Sequence, residues 1–238
     1  MQEDIKGMVL NGFQLKVIAA ALMVLDHIGQ FMWVAPLWFR YVGRVVAPIF
    51  FFLLVEGFTH TRSKGRYMAR LLGAGYIMSI GSGILTELLP GGNLMYNNIF
   101  FSLGLGVALM WALEWSKRPK RRLLGWALAV LAAAGSLYTE AHLYGVMMVL
   151  VFYYCREKPK SLAVFYILGA IFPVFSSGTV TIHSLFFYNY QWLMVFALPF
   201  LLSYNGEAGP RNPFTKWFFY VFYPLHLWVI YILSIRMF

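Results

Sequence analysis

Apolar runs of about twenty residues follow one another along almost the whole chain, and no polar stretch between them is long enough to cover them. A bilayer core about 30 Å thick needs roughly 20 apolar residues at 1.5 Å per residue. That ruler predicts nine transmembrane helices in one bundle: Leu15 to Ala35, Tyr41 to His60, Tyr67 to Leu89, Leu94 to Trp115, Leu123 to Tyr138, Ala141 to Cys155, Leu162 to Ser177, Ser184 to Tyr204, and Phe214 to Met237. The fifth, sixth and seventh are short. Only 12% of residues are charged against 61% hydrophobic, so water is not the main solvent. The first run is too long for a signal-peptide core and reaches Trp33 and Trp38 without a small-residue cleavage site, so it is expected to be retained.

The charges sit between the runs. The loops TRSKGRYMAR, SKRPKRR, REKPK and NGEAGPRNPFTK alternate with PGGNLMYNN, YTE and SGTVTIH, which contain no Lys or Arg. Basic loops stay in the cytoplasm, so the alternation predicts a cytoplasmic N-terminus and an outside C-terminus in the cell membrane. The net charge of +10 therefore reads as topogenic charge that also favours anionic lipid headgroups, and no nucleic-acid partner is expected. Residues 1–238 read as one domain, without internal repeat or low-complexity tail. The single cysteine, Cys155, has no intramolecular disulfide partner and falls beside Arg156 near the reducing face.

Ionisable groups at mid-bilayer cost several kcal/mol unless paired or wet, so the few inside the runs are the functional candidates. Asp26 and His27 lie inside the first run, with Lys16 at its cytoplasmic end, eleven residues before His27. That spacing is about three helical turns, with both side chains on one face and about 16 Å between them along the axis. Arg40 and Arg44 open the second run and Glu56 lies near its inner end. Counted from the outer boundary, Arg44 comes to the depth of Asp26 and His27, roughly 9 to 13 Å in, which predicts an Asp26–Arg44 ion pair. Glu56 is about 18 Å from Arg44 along the helix, and Lys16 is its expected partner. Pro224 and His226 lie near the middle of the last run, with His226 at the depth of His27, so a polar cavity is expected there.

Plainer readings stand beside these. Arg40 reads equally as a snorkelling interfacial residue, Lys16 as a topogenic lysine, and His226 as a side chain bonded to a carbonyl freed by Pro224. His60, His142 and His183, at span ends, read as interfacial. No HExxH or CxxC spacing occurs, so no metal is expected, and Gly104 and Gly106 in an apolar helix read as packing residues.

Three segments taken together, LKVIAAALMVLDHIG, YVGRVVAPIFFFLLVEGFTHT, and SYNGEAG followed by KWFFYVFYPLHL, resemble the TraX family, with YNNIFFSLGLG as a further similar stretch. Founding members of that family are linked to N-terminal acetylation of F-pilin. The family is similar to transmembrane acyltransferases, which carry an acetyl group from cytoplasmic acetyl-CoA to an acceptor across the membrane. One branch of that group has a basic residue and a histidine with ten residues between them, as Lys16 and His27 do, although lysine stands where arginine is usual.

The resemblance implies His27 as general base or acyl carrier, with Asp26 as its catalytic companion. Lys16, Arg40, Arg44, Glu56, Tyr223 and His226 are the expected substrate- or cofactor-binding residues. Neighbouring helical residues do not face each other, so a partner on another helix, His226 or Tyr223, is expected to orient His27. Arg44 is a candidate for the thioester oxyanion or the acceptor. The acceptor is an amine or hydroxyl of a glycan, lipid or peptide. Two competing readings are a proton-coupled transporter using Asp26, His27 and Glu56, and a structural membrane subunit.

Overall fold

The computed structural model describes residues 10–89, 97–176, 181–210 and 212–236. Lys6, Arg211 and most of the PGGNLMYNN and SGTVTIH loops lie outside the described residues, as do the expected span ends at Leu94, Ser177 and Met237. Among the described residues the chain is all helical, with no strand. Ten α-helices occur among them: α1 Gly12–Phe31, α2 Trp38–Gly43, α3 Val46–His60, α4 Lys64–Leu88, α5 Ile99–Ser116, α6 Arg122–Ser136, α7 His142–Cys155, α8 Pro159–Ser176, α9 Leu198–Leu202 and α10 Pro213–Ile235. Five segments are long and apolar enough to cross a bilayer: α1, Trp38–His60 (α2 with α3), α4, α5 and α10.

Two expected spans differ in form. The second begins at Trp38 and is broken between α2 and α3. Pro48 has no N–H, so the carbonyl of Arg44 receives no helical bond four residues on, and Arg44 and Val45 instead turn tightly onto Tyr41 and Val42. The eighth is not one α-helix: a wide turn over Ser184–Tyr188, a 3₁₀ stretch over Tyr190–Ala197 and α9 follow in series. Pro199 cannot continue an α ladder, and the Leu198 amide turns back three residues to the Val195 carbonyl.

The chain divides into two compact units, Met1–Phe50 with Ala170–Ile230, and Phe51–Gly169 with Tyr231–Phe238. In the first, α1 buries Leu15, Ala19, Met23, His27 and Phe31, a stripe stepping by four residues in which His27 takes a position otherwise held by apolar side chains. Asn11 caps α1, accepting from the Gln14 amide while Gln14 accepts from the Asn11 amide.

The second unit is organised on α5, which packs against α4, α6 and α7. Gly104 lies against Leu72, and Gly106 against Leu54 and Val149, so this glycine pair sits at helix contacts. His60 and His142 bond local carbonyls, those of Glu56 and Leu137.

Candidate functional site

The first unit gathers most of the ionisable groups picked out in the sequence. His27 is 3% exposed, and its Nδ1 lies 2.8 Å from Nε2 of His226 on α10. His226 Nδ1 in turn lies 2.8 Å from the Phe222 carbonyl oxygen, one turn earlier on the same helix. A carbonyl oxygen only accepts, so His226 carries its proton on Nδ1. With both rings neutral, His226 Nε2 accepts from His27 Nδ1, which leaves the lone pair of His27 on Nε2. The bonded carbonyl is that of Phe222, not that of Tyr220, which Pro224 leaves without a helical donor. Phe222 stacks on the His226 ring at 4.9 Å, and the buried Tyr223 ring lies 6.1 Å from that of His27. Of the two expected partners, His226 makes a hydrogen bond to His27.

Asp26 belongs to a different cluster on α1. Its carboxylate accepts from Arg40 Nη1 at 2.8 Å and from Arg44 Nη2 at 2.9 and 3.1 Å. The expected pair with Arg44 is present, and Arg40, which reads equally as an interfacial residue, joins it. Arg40 also bonds the Asp26 carbonyl and Gln30, while Arg44 bonds Gln191 and the Arg40 carbonyl. The Tyr190 ring lies 5.6 Å below the Arg44 guanidinium. All three ionic side chains are less than one-fifth exposed. A β-carbon on Gly43 would stand 2.2 to 2.4 Å from the Asp26 side chain, so glycine is what lets the carboxylate come this close to α2. Asp26 thus holds α1 to α2, and its carboxylate bonds arginines rather than His27.

Lys16 is half-buried on α1, and because α1 is unbroken, the rise to His27 is about 16 Å. The SYNGEAG segment straps the start of this helix. The Leu10 amide donates to the Ser203 carbonyl at 2.9 Å, the Asn205 amide to the Leu10 carbonyl at 3.0 Å, and the Gly12 amide to the Glu207 carbonyl at 2.8 Å. Gly209 closes the strap at φ +83°, a conformation that disfavours any side chain.

Glu56 departs from its expected partner. In the second unit it receives a forked pair of hydrogen bonds from Arg156, at 2.6 and 3.1 Å, where Lys16 was expected. Arg156 follows α7 directly, and a rigid two-pronged donor matches a carboxylate better than an ammonium does. Among the described residues no three His, Cys, Asp or Glu side chains form a group able to hold a metal ion.

A family model described as "TraX protein" matches residues 11–234. The chain belongs to the TraX family. It is also 31% identical to the "Probable fimbrial assembly protein FimC, serogroup H1" of Dichelobacter nodosus, over 91% of this chain and 93% of that protein. No solved structure gives a significant match.

In this TraX chain the segments that carry the resemblance have distinct structural parts. LDHIG supplies His27 and Asp26, YVGR supplies Gly43 and Arg44, FYPLHL supplies His226, and SYNGEAG supplies the strap on α1. Sequence reasoning missed Gln191 and Gln30 as arginine acceptors and Arg156 as the Glu56 partner. Gln191 carried a usable signal, an amide inside an apolar run. Arg156 carried none, since it stands among loop cations.

Proposed function

We propose that this TraX-family chain is a membrane acetyltransferase, taking an acetyl group from cytoplasmic acetyl-CoA and passing it to an amine or hydroxyl of an envelope acceptor. The observation that carries the reading is the Phe222 carbonyl–His226–His27 chain, which orients a buried imidazole as a base and leaves its lone pair on Nε2.

In direct transfer, His27 Nε2 removes the proton from the acceptor as its nitrogen or oxygen attacks the thioester carbonyl. The new C–N or C–O bond forms, the C–S bond breaks, and the imidazolium returns the proton to the departing thiolate. His226 holds the ring and the tautomer, a positioning role. Asp26, Arg40 and Arg44 serve as a clamp that fixes α1 at this level, and the engagement of Arg44 with Asp26 and Gln191 argues for that role over oxyanion binding. In this reading Lys16, about 16 Å away, meets the anionic nucleotide end of acetyl-CoA. The name of the Dichelobacter relative, a fimbrial assembly protein, favours a peptide acceptor over a glycan or lipid.

We also propose nine crossings, with the N-terminus inside and the C-terminus outside. The alternation of basic and cation-free loops supports the count; in this reading the apolar helices of α7, α8 and Tyr190–Leu202, together with α6, are the remaining four spans. The transporter reading is weakened by the engagement of Asp26 and Glu56 with arginines, which leaves neither as an uncommitted proton carrier.

The test is turnover of acetyl-CoA by detergent-purified protein, with and without an added peptide amine. His27→Ala is expected to lower the rate by about 10² to 10⁴ while leaving folding intact. Equal turnover by the wild type and the variant would end the assignment.

A further inference from the structure

The second unit carries an apolar groove of about 350 Å³ that the proposed chemistry does not use. Met68 of α4, Leu105, Ala108, Trp111 and Trp115 of α5, and Leu131 of α6 line it, and no charged, amide or hydroxyl side chain does. From Leu105 to Trp115 it follows α5 for about 15 Å, a channel suited to one hydrocarbon chain.

One end of the groove is strongly basic. Arg121 sets its guanidinium 5.0 Å over the Trp115 ring, which ties a cation directly to the lining. Arg118 and Lys120 are exposed in the same connection, and Arg122 is exposed at the start of α6. Gly65 meets Trp111, so the start of α4 lies at this end too and brings the exposed Arg66 with it. Glu114 faces Lys117 at the end of α5.

We propose that this groove holds one acyl chain of an anionic phospholipid, whose phosphate rests on the Arg118 and Arg121 end. An apolar channel with a cationic mouth at a helix boundary has the two complementary halves such a lipid requires. Apart from the indole N–H groups of Trp111 and Trp115, the lining side chains offer a peptide backbone no partner for its N–H and C=O groups. A second copy related by a two-fold axis along the membrane normal would set two equally basic loops at one level, where they repel.

The test uses the full-length protein in neutral detergent, titrated with phosphatidylglycerol or phosphatidylcholine and read by native mass spectrometry. The wild type is expected to prefer phosphatidylglycerol at least about tenfold, and the Arg118→Gln, Arg121→Gln double variant to lose most of that preference. Ala108→Phe, which fills the groove, is expected to weaken binding of both lipids. A second measurement needs no variant: phosphatidylglycerol with a diazirine in its acyl chain should label the α5 and α6 groove residues more densely than the exposed Ile77, Ile80 and Ile84 of α4. Equal affinity for the two lipids, equal labelling of both faces, or crosslinking of a second copy at the groove would each overturn the proposal.

Discussion

Replacing Asp26 with Asn keeps the shape of the side chain and removes the charge that two guanidinium groups share. Arg40 and Arg44 are 18% and 17% exposed and Asp26 13%, so the cations left behind are poorly hydrated. Removing one partner of a buried ion pair costs about 3 to 5 kcal/mol, and the residual exposure lowers that to about 2 to 4 kcal/mol here. Arg44→Gln should cost less, since Arg40 still faces the carboxylate at 2.8 Å. The double variant Asp26→Asn with Arg44→Gln removes charges that faced each other, so its cost should fall short of the sum by at least about 1 kcal/mol. Equilibrium unfolding in mixed micelles, followed by tryptophan fluorescence, measures all three. Additivity within about 0.5 kcal/mol would refute the view that this cluster acts as one unit.

Gly43→Ala, whose new methyl meets the Asp26 carboxylate, should destabilise the protein in the same unfolding assay, whereas Gly73→Ala, which meets nothing within 4 Å on α4, should be neutral or stabilising by up to about 1 kcal/mol. Arg156→Lys should fail to restore what Arg156→Gln loses, because an ammonium cannot reproduce the forked contact with Glu56; full recovery of stability would contradict that geometry. His226→Ala is expected to lower acetyl-CoA turnover by about tenfold or more, but less than His27→Ala, with substrate KM little changed; a loss confined to KM would argue against a role in orienting the imidazole. Gly209→Ala should cost about 1 kcal/mol through its left-handed backbone, read as a lower Tm.

Hydropathy, loop charge and short motifs are enough to read an all-helical membrane protein of the TraX family, because each depends on residues within one helical length of each other. The same counting from the span ends put Asp26 beside Arg44 and His27 level with His226, since helical rise turns residue number into depth. Depth is one coordinate only. Which way a side chain faces at that depth depends on how each helix is rotated and packed, and this separates residues that share a level from residues that touch. His27 and His226 are 199 positions apart and Glu56 and Arg156 are 100, so no local pattern links either pair. The first was reached because both groups lie at mid-span, where charge is rare. The second was missed because Arg156 stands among ordinary loop cations. The break at Arg44 and the irregular course of residues 184–202 were likewise set by the packed structure: the prolines marked where an α ladder must fail, but only tertiary contacts chose the turns that replaced it.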